Sequence, residues 1–382
     1  MSQTGKAPHE SVMAGGGYYS SHSEVQAVAA APGFPFLERA AGQIPIAAGA
    51  PFVIADFGCA GGRNELEPIR IAIAAVRARS GAPIMVVHTD LPANDFASLF
   101  RTVEESRGSY LTGQHQVYAY AAGRSLYGPV FPDSSLSLGW TAITVQWLSA
   151  MPCVVPDQVF VNLTEGPARD ALRAQSRRDW ETFLRERLRE LRPGGQVVVV
   201  GGASRADGRS DAEGLFTMAN AQLRAMVADG RLRRSEYEKI FYPTWNRTLQ
   251  EFLEPFHDGT FAGVLTVEEY VEHATSDAAV YPQYERDGDG AAFAEAYVPF
   301  VKAVTAPSFF RWLEPDRSAA ERTMIEAAFY EGLQHRIAAD PATATCHTRS
   351  ASGSARRAER RAPANAARSR RRDVGSAALC AS

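Results

Sequence analysis

The chain is poor in cysteine, and its four, Cys59, Cys153, Cys346 and Cys380, lie far apart. None shows the short spacing of a zinc or redox site, so no metal is expected, and the set reads as reduced thiols of a cytoplasmic protein. Missing too is any run of eighteen apolar residues, which excludes a membrane-spanning helix. The opening stretch MSQTGKAPHESVMAGGG lacks the basic start and apolar core of a secretory signal. Nor does the body of the chain carry positive charge in excess. Of 40 basic and 43 acidic residues, nine Arg and only two acids fall from Arg349 onward, leaving a body with a net charge of −10. An acidic body argues against nucleic acid as the main partner.

What is present is a large soluble α/β pattern in 382 residues. After a Gly-, Ser- and Ala-rich opening with a helix following Ser23, the stretch PFVIADFGCAGGRNELEPIRIAIAAVRARSGAPIMVVH reads strand (Phe52–Phe57), glycine turn, helix (66–79), strand (84–88). HQVYAYAAG reads as a third strand. Trp180, Phe183, Leu184, Leu188 and Leu191 recur at helical spacing up to RPGG, and QVVVVGG is a further buried strand. Alternating strands and helices imply a doubly wound, Rossmann-like sheet. VQWLSAMP, residues 145–152, reads as a short buried helix. Residues 212–290 read as a helical insertion that caps the site, between a core of 1–211 and its last part, 291–341. ERTMIEAAFYEGLQHRIAAD reads as a C-terminal helix. The Arg/Ala/Ser-rich tail, 342–382, holds almost no large apolar residue, so it is expected to be disordered and dispensable for the fold. Its composition fits an appended basic arm or a change of reading frame.

The glycine turn carries the first chemical signal. ADFGCAGGRN sets Asp56 at the end of a strand, then Gly58, Gly61 and Gly62, which let the backbone turn tightly and approach a ligand. Asp90 ends the next strand in HTDLP, where a carboxylate can accept both hydroxyls of a ribose. Two classes use that arrangement: dinucleotide dehydrogenases and methyltransferases using S-adenosylmethionine. The turn does not spell G-x-G-x-x-G, and an acid just before it suits an amino-acid ammonium better than a pyrophosphate, which favours the methyltransferase.

Further stretches resemble one family, the SABATH carboxyl methyltransferases. VMAGGGYYSSHSEVQ, ADFGCAGGRN, HTDLPANDFASLFRTV, SLYGPVFPDSSLSLGWTAITVQWLSAMP and FLRERLRELRPGGQVVVV are similar to its motifs, covering residues 12 to about 341. The resemblance implies a Rossmann-like methyltransferase sheet with a helical cap. It implies S-adenosyl-L-methionine as cofactor, bound by Ser23, Asp56, Asn64, Asp90, Leu91, Ser125 and Leu126, with Gly58 in the turn. It implies that Gln26 and Trp147 grip a substrate carboxylate, with Ile143 and Gln146 beside them. The family often has an aromatic at Ile143, Met or His at Gln146 and Asn at Thr89, so the acid is not read from these residues. A homodimer is compatible with the resemblance.

Those residue types suit carboxyl methylation. A carboxylic acid is already ionised at neutral pH, so its methylation by in-line displacement needs no base, only positioning. An indole N–H from Trp147 and an amide N–H from Gln26 are neutral donors that orient the anion without a cationic clamp. His22 and His88 read as hydrogen-bonded structural histidines. The alternatives are N- or O-methylation of a non-carboxylate small molecule, or a ligand-binding relative with weak catalysis.

Overall fold

The computed structural model describes residues 12–155, 157–257, 259–275, 280–344 and 348–358. Seven strands form one sheet in the order β3-β2-β1-β4-β5-β7-β6. They are β1 (Phe52–Phe57), β2 (Ile84–Asp90), β3 (Val117–Gly123), β4 (Leu136–Ala142), β5 (Leu191–Gly202), β6 (Leu265–Thr275) and β7 (Thr348–Arg357). β1 to β5 run parallel, and β7 runs antiparallel to both its neighbours.

Apolar runs explain the central strands. Phe52, Ile54, Ala55 and Phe57 of β1 and Val197, Val198 and Val200 of β5 are buried, because helices cover both sheet faces. Helix Leu66–Arg77 packs Ile69, Ile73 and Val76 inward, and helix Gly166–Glu190 buries Trp180, Phe183 and Leu184. The strand order reverses between β1 and β4. Their carboxyl ends, together with that of β2, therefore open onto one crevice, the usual ligand position in such sheets.

Three expectations are corrected. Residues 145–152 form no helix: they run as turns and isolated bridges, such as Trp147 with Thr244. Helix hydrogen bonds are replaced by distant partners. The Val145 carbonyl accepts from Arg247 and Tyr127, that of Gln146 from the Trp245 N–H, and that of Trp147 from Tyr127.

The segment 212–290 is not a purely helical insertion, because it contains β6 at the sheet edge. LTVEEYVEHAT mixes apolar and charged residues, as an edge strand does, and a bulge between Val267 and Glu269 breaks its alternation. The cap core is instead shared: helix Glu213–Ala228 packs with helices Gly290–Phe309 and Ala319–Ala339 around Leu223, Tyr297, Phe329 and Leu333.

The reading of 342–382 as disordered fails for β7, which lies inside the sheet. TRSASGSARR has few large side chains, but strand pairing is made by the backbone. Gln196 to Gly202 pair with it on one side and Leu265 to Thr275 on the other. The expectation for 345–347 and 359–382, with Cys346 and Cys380, falls outside the described residues. No helix among the described residues is long and apolar enough to cross a membrane.

Candidate active site

The turn after β1 is built for close approach. Gly58 and Gly62 take φ of +90° and +80°. A side chain at Gly58 would run into Thr144, and a Cβ at Gly62 would meet Leu99 at 2.5 Å. Even Ala60 adopts a positive φ of 44°. Its N–H donates to Asp90 Oδ2 at 2.8 Å, while the Leu91 N–H donates to Asp90 Oδ1 at 2.7 Å. Asp90 thus ties the turn to the end of β2 and keeps lone pairs free on both oxygens. Asn94 Nδ2 holds the Ala60 carbonyl at 2.9 Å, and Asn64 Nδ2 reaches both the carbonyl and Oγ of Ser23 at 3.1 Å.

These groups surround a cavity of about 200 Å³. Ser23, Gln26, Gly58, Asn64, Asp90, Leu91, Ser125, Leu126, Ile143 and Trp147 all stand on its wall. Asp56 does not. It is 1% exposed, and its Oδ2 lies 2.7 Å from His88 Nδ1, whose Nε2 in turn meets the Tyr110 hydroxyl at 2.7 Å. The carboxylate on the wall at that place is Glu65, a residue the sequence reading passed over; its Oε2 accepts from Trp140 Nε1 at 2.9 Å. A carboxylate next to Asn64 at the mouth of an apolar helix was the available signal.

Burial drives the electrostatics here. It raises the Asp56 and Glu65 carboxyls well above the ordinary range, and raises Asp90 against the pull of its two N–H donors. It lowers His88 to about 4, so the ring is neutral at physiological pH, and both its nitrogens are engaged. His22 is off this wall, with Nδ1 2.8 Å from the Tyr18 carbonyl and its ring against the Tyr18 ring.

A second cavity of about 120 Å³ shares Gln26 and Ile143 with the first. Phe160, Phe216 and Tyr242 form a stacked wall, with ring centroids 4.3 and 4.8 Å apart in sequence. Gln146 belongs to this cavity and not to the first; its Oε1 accepts from the Gly202 N–H at 3.3 Å. Arg349 of β7 stands at its rim, bound to Asp211 at 3.1 Å and Glu272 at 2.5 Å. The sequence reading missed Arg349, having set it in a structureless tail. Between the cavities, Ile143 holds φ +51°, a strained value for a β-branched residue. Gln26 Oε1 is buried there without a hydrogen-bond partner.

The first cavity fits a nucleoside joined to an amino acid. It offers a carboxylate for a ribose diol, a backbone that a ligand can approach closely, and buried acids facing a cationic group. Among the described residues, the basic side chains on its wall, Arg63 and Arg124, are solvent-exposed.

Comparison with known proteins agrees. A family model described as SAM dependent carboxyl methyltransferase matches residues 9–311. A methyltransferase of Fusarium sp is 26% identical over 311 residues, covering 78% of this chain and 83% of the relative. Benzoate O-methyltransferase of Zea mays is 29% identical over 270 residues, covering 62% of this chain and 70% of the relative. The fold is similar to that of a loganic acid methyltransferase solved with SAH, with a TM-score of 0.73 at 17% identity over 92% of this chain and 99% of that one.

Proposed function

The chain belongs to the S-adenosylmethionine-dependent carboxyl methyltransferases of the SABATH group, and from that premise we propose that it forms the methyl ester of a small carboxylic acid. When bound, S-adenosylmethionine supplies an electrophilic methyl on a sulfonium. In this reading Asp90 accepts from the ribose hydroxyls, Ser125 and Leu126 flank the adenine, and Ser23 with Asn64 shape the opposite wall. Gln26 and Trp147 hold the acid's carboxylate where the two cavities meet, and the body of the acid fills the second cavity.

The observation that carries this is the place of Gln26, which stands on both cavities, where its amide N–H can donate to a carboxylate. No base is required. His88 is neutral and sealed by Asp56 and Tyr110, and His22 lies off the cofactor wall. The acid is compact: apolar cavities of about 150 Å³ accommodate a single benzene ring, and the stacked aromatic wall suits a flat body.

The test is methyl transfer from labelled cofactor to a panel of acids, matched with the corresponding amides and alcohols. Esters of single-ring acids are expected, with poorer turnover of bicyclic and long-chain acids. Label appearing only in amides, alcohols or ring nitrogens would overturn the reading.

A further inference from the structure

Register brings Trp140, Asp56 and His88 side by side across β4, β1 and β2. From that row rises a chain of buried polar groups. Trp140 Nε1 donates to Glu65 Oε2 at 2.9 Å, His88 Nδ1 meets Asp56 Oδ2 at 2.7 Å, and the Tyr110 hydroxyl meets His88 Nε2 at 2.7 Å. The chain has a gap in the middle. Asp56 Oδ1 is buried without a hydrogen-bond partner, and the carboxyl that neighbours Asp56 is that of Glu65. Two carboxyls so placed hold together only by sharing one proton. Asp56 is sealed off at 1% exposure, whereas Glu65, at 7%, opens onto the cofactor cavity.

We propose that Glu65 is the residue that receives the α-ammonium of the cofactor, and that the proton it shares with Asp56 leaves to solvent as the ammonium arrives. Asp56 then acts behind it as a positioning residue, held by His88. The family resemblance gives the cofactor contact to Asp56; here Asp56 is off the cavity wall and Glu65 is on it. The proton balance is simple. One carboxylic acid O–H of the pair breaks, its proton passes to solvent, and the resulting carboxylate is paired by the incoming cation.

The neighbours favour that exchange. His88 is neutral and offers the pair no compensating charge. The other titratable groups beside the pair, Asp90 on β2, Cys59 in the turn, Tyr19 and Tyr110, are neutral or anionic in every protonation state, so none supplies a cation. A buried pair of acids short of positive charge takes up an ammonium readily, since an opposite charge nearby favours the ionised form.

The inference rests on the cofactor and not on the acceptor acid, so its test reads binding alone. S-adenosylhomocysteine is titrated by calorimetry at pH 7 in phosphate and in Tris, whose ionisation heats differ. The wild-type protein is expected to release close to one proton per ligand. Glu65→Gln, isosteric with the protonated carboxyl, is expected to release none and to bind S-adenosylhomocysteine about tenfold more weakly. 5′-Methylthioadenosine, the same nucleoside without the amino acid, is expected to bind both proteins equally. Unchanged affinity of Glu65→Gln for S-adenosylhomocysteine, or equal losses for the two ligands, would overturn the assignment. Buffer-independent heats in the wild type, a measurement that needs no variant, would overturn the proton release.

Discussion

The Tyr127 hydroxyl shares its one proton between the Trp147 carbonyl at 2.5 Å and the Val145 carbonyl at 3.1 Å. One phenol thus joins the loop after β3, which carries Ser125 and Leu126, to the stretch that carries Trp147. Arg247, 1% exposed, braces the same stretch by donating to the Val145 carbonyl at 2.6 Å. Tyr127→Phe deletes the two hydrogen bonds and keeps the ring. We expect kcat/KM for the acid to fall about tenfold, mainly through KM, near the ~1.5 kcal/mol of a buried hydrogen bond. Steady-state kinetics with calorimetry of cofactor binding checks this, and the cofactor affinity should change much less.

Trp147→Phe tests the grip on the substrate directly. Loss of the indole N–H should lower kcat/KM for the acid about tenfold or more, ~1.5 kcal/mol, without weakening cofactor binding. With no base at work, the pH–rate profile at saturating cofactor should stay flat from pH 6 to 8, its only rise being ionisation of the acid below that range. An inflection in that range that disappears with His22→Ala would show a histidine base.

Part of this site could be read from short stretches. The turn at Gly58 and Asp90 at a strand end follow from apolar runs that stop at glycines and acids, whereas Ser23 and Asn64, which meet across 41 positions, were implied by the family resemblance. Other parts depend on partners far away in sequence. Glu65 meets Trp140 seventy-five positions on, and no local pattern announces that pair. Residues 145–152 read as a short buried helix, yet Tyr127 and Arg247 take carbonyls a helix would use. β7 escaped notice because composition reports side-chain burial, whereas its place depends on backbone pairing.

The position of β7 sets an expectation for truncation. A chain ending at Asp340 would separate β5 from β6 and expose the edge of β5. Such a protein should lose its cooperative melting transition or fail to stay soluble. A melting temperature equal to that of the full chain would show that β7 adds nothing to the fold.

β7 also leaves space. A cavity of about 50 Å³ lies between its Ala351 and Ala355 and the side chains of Trp180, Phe252 and Phe256. Ala355→Val adds two methyl groups there, worth about 1 kcal/mol if the rotamer fits. A rise in melting temperature of one or two degrees is expected. A fall would mean that the added methyls strain the strand.

Glu65 should leave a signature in stability as well as in binding. Its carboxyl is raised by burial, so the ligand-free folded state binds its proton more tightly than the unfolded chain does. That contribution is fully present below the unfolded value near 4.3 and is lost as pH rises through the folded one. His88 works in the opposite sense. It is lowered to about 4, so protonation of the unfolded chain removes stability as pH falls from 6.5 toward 4. The two effects oppose each other between pH 4.5 and 6.5, but above 6.5 His88 is neutral in both states and contributes no slope. Comparing Glu65→Gln with the wild type by denaturant unfolding above pH 6.5 removes the slopes the two proteins share, those of Asp56 and Asp90 among them. Glu65→Gln should gain on the wild type as pH rises, by at most ~1.4 kcal/mol per pH unit for a single proton. Saturating S-adenosylhomocysteine should abolish that gain, because the ammonium then holds Glu65 ionised. A difference between the two proteins that is constant with pH would mean that Glu65 carries no proton in the folded state.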